Sequence, residues 1–123
     1  MDFSVLLCYN QSVVNPINQN LGEKVSIMSK LYNYITDENG LMIKLRMDNE
    51  FDINDYLNIK NSLLTAIPEW KNTGCVSIED FSAMLDLIQF LAGGSQFWNM
   101  ETATKAEEAE IELMDIIHKQ LNL

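Results

Sequence analysis

The sequence predicts an α+β domain that is mostly α, with about four helices and two or three short strands. Three observations predict this. The chain has 123 residues, the length of one ordinary domain, so 1–123 reads as a single compact domain with a core of its own. Its apolar fraction is 47%, normal for a globular protein and too high for a disordered acidic tail. Apolar residues recur at helical spacing over most of the length, and alternation is confined to short runs.

Phe3 to Cys8 alternates loosely and is rich in strand formers, so it reads as a first strand. Residues 10–20 are rich in Asn and Gln around Pro16 and read as a loop, with Asn18 or Asn20 as a helix N-cap. From Leu21 to Ile35 the residues Leu21, Val25, Met28, Leu31, Tyr32 and Ile35 fall on one helical stripe. Asp37-Glu38-Asn39-Gly40 then stops the helix. The competing reading of 21–35 is part of a hairpin, because Asn39-Gly40 is a strong two-residue turn signal. Leu41 to Met47 alternates, with Ile43, Leu45 and Met47 on one face and Met42, Lys44 and Arg46 on the other, and reads as a strand.

Asp52 and Asp55 bracket a helix start. That helix is expected over Ile53–Ile67, with Pro68 ending it, and its apolar stripe is Ile53, Tyr56, Leu57, Leu63, Leu64 and Ile67. Residues 69–74, with Trp70 among them, read as a turn, and Cys75-Val76 as a short strand. Ser77 with Asp80 three residues on signals the next helix cap. The helix from Ile78 to Ala92 is apolar nearly all round and should be the central one, covered on most sides. Gly93-Gly94 ends it. The last helix begins between Ser95 and Thr102 and runs to Leu121. Ala103, Ala106, Leu113, Met114, Ile117 and Leu121 form its buried stripe, and Glu101, Glu108, Glu112 and Asp115 its opposite face. Lys60 and Glu110 each stand on an apolar helix face, which suggests that they pair if their helices pack together.

The chemistry of the chain is largely exclusion. Lys+Arg number 8 and Asp+Glu 18, a net charge of −10. Such a charge repels nucleic acid and anionic membrane surfaces. No run approaches the roughly 18 apolar residues of a membrane span, and Asp2 stands where a signal peptide would be basic. Cys8 and Cys75 have no metal-ligand spacing; two cysteines allow one bridge, but the preferred reading is two reduced, partly buried thiols of a cytoplasmic protein. His118 is the only histidine, and it reads as a helix-end residue helped by the dipole. The run Glu69 to Asp80 has the register of an EF-hand loop, but Lys71 and Thr73 stand where acidic oxygens belong, which excludes calcium. Gly93-Gly94-Ser95 follows a helix, whereas phosphate loops precede one. The expectation is therefore no cofactor, no metal and no enzymatic activity.

The acids are unevenly placed. Asp48, Glu50, Asp52 and Asp55 face no base between Asp48 and Lys60. Glu101, Glu107, Glu108, Glu110, Glu112 and Asp115 have only Lys105 among them. Either cluster can be an ordinary solvated helix face, or a docking surface for a basic protein. Tyr56 beside Asp55, and Trp70 beside Glu69, supply aromatic anchors of the kind favoured at interfaces. Phe97 and Trp98, just before Glu101, are also candidates for such contacts, but the preferred reading is that they cap the core at the end of the central helix.

In size, acidity, helical character and absence of catalytic groups, the chain resembles the small immunity proteins of bacteria, including those of contact-dependent growth inhibition. The resemblance implies a cytoplasmic protein that neutralises a toxin, frequently a basic nuclease, by covering its active site. The expected partner surface is then Asp48, Glu50, Asp52, Asp55, Tyr56 and Trp70 in one region and Glu101, Glu108, Glu112 and Asp115 in a second. The alternative reading is a non-enzymatic structural or adaptor domain, a homodimer being one form of it, whose acids serve solubility.

Overall fold

The computed structural model describes residues 6–8, 30–94 and 97–122, with 6–8 described as backbone only. The expectations for residues 3–5, for the 10–20 loop and for residues 21–29 lie outside the described residues.

Helix α1 spans Lys30–Thr36 and buries Leu31 and Ile35, which lie one turn apart on one face. It is the C-terminal part of the helix expected over 21–35. Asp37 to Gly40 turns the chain, with the Gly40 N–H donating to the Asp37 carbonyl at 3.0 Å.

The next element corrects the sequence reading. Leu41–Asp48 is helix α2, not a strand. Leu41 and Leu45 are its buried pair, an i,i+4 spacing, and Met47 of the supposed inner strand face is exposed. An eight-residue run that is apolar at alternate positions also contains an i,i+4 apolar pair, so its pattern alone does not separate the two states. The helix ends at Asn49, which takes the left-handed conformation (φ 57°). Asparagine tolerates that region better than most residues with a Cβ.

Helix α3, Ile53–Thr73, opens as its sequence signal requires. The Asp52 carboxylate accepts from the backbone N–H groups of Asn54 and Asp55 at 2.9 and 3.1 Å. The helix does not end at Pro68 but runs five residues further, so Trp70 lies in the helix and not in a turn. Its buried stripe is Tyr56, Ile59, Leu63, Ile67 and Trp70. Proline at 68 removes one backbone hydrogen bond and crowds the preceding turn. The burial of Ile67 and Trp70 on either side of it holds the helix together. Ile53, Leu57 and Leu64, expected inside, are exposed. Gly74 stops α3 at φ 80°, with its N–H donating to the Trp70 carbonyl at 2.7 Å.

The chain then forms strand β2, Cys75–Ser77, which pairs in parallel with β1, Leu6–Cys8; Leu7 lies opposite Val76. Cys75 is disulfide-bonded, which corrects the expected reduced thiol. The Ser77 hydroxyl accepts from the Asp80 N–H at 3.1 Å and caps helix α4, Ile78–Gly93. This helix buries Ala83, Met84, Leu87 and Leu91 but exposes Phe81 and Leu85, so it is covered on fewer sides than expected. Helix α5, Met100–Leu121, is capped by Asn99, whose side chain accepts from the Thr102 N–H at 2.8 Å. It buries Thr102, Ala106, Ala109, Leu113 and Leu121.

The result is a mostly helical domain. α1 packs against α3 and α4, α5 lies across α4 and α3, and α2 packs beside α1. Ile59, Leu63, Leu87, Leu91 and Leu113 are fully buried where these helices meet.

Pro68 is exposed on α3, so replacing it touches little besides the backbone. Pro68→Ala restores an N–H donor and relieves the ring contact with the previous turn. It should stabilise the domain by about 1–2 kcal/mol after the added freedom of the unfolded chain is subtracted. The midpoint of urea unfolding reads this directly. An unchanged or lower midpoint would show that α3 is built around the proline.

Candidate functional site

The two acidic regions meet, and Asn49 joins them. Its carbonyl accepts from the Thr102 hydroxyl at 3.0 Å, and its side-chain oxygen accepts from the Asn99 N–H at 3.4 Å. The end of α2, which carries Asp48, and the loop after it, which carries Glu50, are thereby fixed to the start of α5, which carries Glu101. A second link lies further along. The Tyr56 hydroxyl donates to Glu112 Oε1, and Lys60 Nζ lies 2.8 Å from Glu112 Oε2. Lys60 therefore pairs with Glu112, not with Glu110. Position 112 faces α3, whereas 110 is turned about 160° further round the helix. A cleft of about 470 Å³ opens beside this link, lined in part by Phe51, Tyr56, Glu108 and Glu112.

The expected partner residues separate by whether their charge is already used. Lys44 Nζ lies 2.8 Å from Asp52 and 2.9 Å from Asp55, and all three side chains are half-buried. That lysine is the ion-pair partner of the buried Asp55 Oδ2, which makes no hydrogen bond among the described residues. The hydrogen bond from Lys44 holds the Asp52 carboxyl below the usual carboxylate range. The same contacts, with Asp52 first and Asp55 second, push the Lys44 ammonium up. Asp52 and Asp55 are thus paired within the fold. Glu112 is paired as well: the hydrogen bond from Lys60, then that from Tyr56, lowers its carboxyl. Burial, and after it the hydrogen bond to Glu112, raises the Tyr56 hydroxyl. Asp115 lies 3.2 Å from Lys119, and Glu101 lies 3.6 Å from Lys105, both exposed pairs one helical turn apart. Such pairs add little and leave their charges accessible. Asp48, Glu50 and Glu108 are exposed and make no ion pair within 4.0 Å among the described residues.

Neither expected aromatic anchor is at the surface. Trp70 is 9% exposed, and Tyr56 is buried with its ring 5.6 Å from that of Phe51. Tyr56 instead positions Glu112. The most exposed apolar groups are others: the sequence reading weighs Phe97 as a contact residue but sets it below its role as a core cap, and it misses Met47 and Met100. Met47, Phe97 and Met100 are 72, 75 and 85% exposed, the highest values among the large apolar residues described. Met47 was hidden by its strand assignment. Trp98 does take that capping role, standing edge-on to Phe90 at 5.4 Å.

His118 is exposed, with Nδ1 2.9 Å from the Met114 carbonyl. No group of three or more His, Cys, Asp or Glu residues among those described is arranged to hold a metal ion. No described helix is long and apolar enough to cross a membrane. No protein-family model matches the chain, and neither a curated protein nor a solved structure matches it.

The carboxyls of Asp52 and Glu112 are both lower in the fold than their ordinary values, which are 3.8 and 4.5. A carboxyl lowered on folding stabilises the fold above its ordinary value, and that gain is lost as pH falls through the folded value. The domain should therefore lose stability as pH drops below about 4.5. Glu112→Gln should be less stable than the wild type at neutral pH and should show a shallower loss on acidification. Urea midpoints from about pH 7 to about pH 3 test this; parallel curves for the two proteins would show that the Lys60–Glu112 pair contributes nothing.

Proposed function

We propose that this chain is a non-enzymatic protein–protein inhibitor of the immunity or antitoxin type. It binds a basic toxin, a nuclease by preference, and occludes the site where that toxin holds nucleic acid. One observation carries the reading: the Asn49 contacts bring the two acidic runs together, and three highly exposed apolar side chains stand in the same chain segments. Asp48, Glu50, Glu101 and Glu108 would meet the partner directly. Glu112 and Asp115 would lie further along the same helix. Asp52, Asp55 and Tyr56 would support the surface from beneath, whereas Trp70, near the other end of α3, would take no part in it. Unpaired charge steers association, and exposed apolar groups hold the complex once formed.

A homodimeric adaptor is the second reading, favoured by Phe81 and Leu85, which are exposed one turn apart on α4. The two readings part on salt. A charge-steered inhibitor loses association rate steeply between about 50 and 500 mM salt, whereas an apolar homodimer is nearly indifferent. The direct test is co-purification with the product of the neighbouring reading frame, if that frame encodes a toxin-like C-terminal domain. The pair should stay together at micromolar concentration in low salt; separation there would overturn the inhibitor reading.

The cytoplasmic setting of this proposal carries its own test, since cytoplasmic thiols are kept reduced. The helical domain must then stand without the Cys75 disulfide. Thermal melting with and without reductant should differ by only a few degrees. Collapse under reductant would place the protein in an oxidising compartment instead.

A further inference from the structure

A second cleft, of about 570 Å³, lies between α2, the C-terminal end of α4 and the Phe97-Trp98 turn. Leu45, Met47, Phe90, Phe97 and Trp98 give it an apolar wall. Part of that wall is fixed by the fold. Trp98 lies so close to Gly94 that a Cβ added there would stand 2.5 Å from its ring, so only glycine lets the indole seat. Phe90, one turn earlier on α4, meets the indole edge-on with ring centres 5.4 Å apart. Met47 and Phe97, by contrast, present most of their surface to solvent. Methionine and aromatic side chains around a cleft suit an apolar insert, because they adapt in shape and bury large area.

Charge selects what carries the insert. Asp48 and Glu50 flank Asn49 in the chain, and Asn49 itself lines the cleft. Glu101 lies in the first turn of α5, beside the Asn99 that bonds Asn49. Against these three acids stands Arg46, whose guanidinium is 5.3 Å from the Phe90 ring centre. Arg46 is the charged residue of the cleft's own lining, and the acids stand beside that lining in the chain, so the surface around the cleft carries three acids against one base. A second copy of this chain would bring the same acids to the same rim, so self-association through this cleft is opposed by like charge.

We propose that this cleft is the socket for one large apolar side chain borne on a Lys/Arg-rich segment of a partner protein. The proposal rests on the inhibitor reading for the partner's identity, and it adds the place and chemistry of the anchor. The apolar side chain fills the space between Met47, Phe97 and Trp98, and the basic residues beside it meet Asp48, Glu50 and Glu101.

The test uses the full chain and a synthetic amphipathic peptide of leucine and lysine, followed by tryptophan emission. A serine/lysine peptide of equal charge and a leucine/glutamate peptide are the controls. The leucine/lysine peptide should shift the emission saturably, and Trp98→Phe should abolish the signal. Met47→Ser and Phe97→Ser change exposed residues and should keep the helical circular dichroism. Each should weaken binding about tenfold, the scale of one lost buried apolar contact. Glu50→Lys should weaken it further at low salt. Equal binding of the serine/lysine peptide, or undiminished binding by the Met47→Ser and Phe97→Ser variants, would overturn the socket. The inhibitor reading fails separately. If the toxin-like product binds the wild type and both serine variants alike, the socket falls and the inhibitor stands. If the peptide behaves as expected but that product does not bind, the inhibitor falls and the socket stands.

Discussion

The left-handed corner at Asn49 is the constraint on which the rest of the surface depends. A residue at φ 57° turns the chain out of α2 at a point where a helix would otherwise continue. That turn frees the Asn49 carbonyl and side-chain oxygen to receive Thr102 and Asn99. The start of α5 is thereby tied to the loop before α3, fifty residues earlier in the chain. Every further feature of the acidic face follows from this tie. Glu101 comes beside Asp48 and Glu50, and α5 is placed where Glu112 can reach Tyr56 and Lys60. A β-branched or bulky residue at 49 would face strain from the conformation as well as the loss of an acceptor.

Electrostatics divides the face into a supporting part and a free part. Lys44 and Lys60 are the only half-buried cations described that reach the acids of this region. Each ties a helix to what lies next to it in space: Lys44 joins α2 to the start of α3, and Lys60 joins α3 to α5. The acids they hold are therefore structural first, and their charge is already balanced where a partner would arrive. Asp48 and Glu50 have no such cation among the described residues. The net charge of the chain overstates the field at the paired positions and describes it well at the unpaired ones.

Much of the fold is legible in the sequence, and the reasons for the failures are local. The caps at Asp52 and Ser77 are read correctly because a side-chain oxygen at a helix start answers a fixed geometric need. Lys60 is recognised as an anomaly on an apolar stripe, but its partner is missed by two residues. At about 100° per residue, that displacement carries the acid to a different neighbour. Pro68 is taken as a stop because local chemistry says so, while the burial of Ile67 and Trp70, which overrides it, belongs to tertiary structure. The 41–48 segment fails for want of length: at two turns, Leu41 and Leu45 satisfy a helix as well as alternation satisfies a strand. The candidate site inherits that error. Met47 is assigned to an inner face and so is never weighed as a contact residue; Tyr56 is weighed as an anchor although it stands on the apolar stripe of its helix, and Trp70 is weighed because Pro68 is taken to end the helix before it.

The contrast between the two tryptophans shows what the fold does with scarce aromatic surface. Trp70 is spent inside, on the stripe that carries α3 past its proline. Trp98 is set at the edge of the core against Gly94 and Phe90 at the end of α4, with the unbranched Met47 and the exposed Phe97 beside it. A wall fixed on one side and adaptable on the other lowers the ordering cost of receiving an apolar group, because only the adaptable side has freedom to lose. Gly94 is the residue that makes this possible. It sits at φ −96°, a conformation open to any residue, so its requirement is space and not backbone freedom. A methyl group there would move the indole and with it the rigid half of the cleft, while leaving the unpaired acids where they are. Shape and charge at this face are therefore set by different residues.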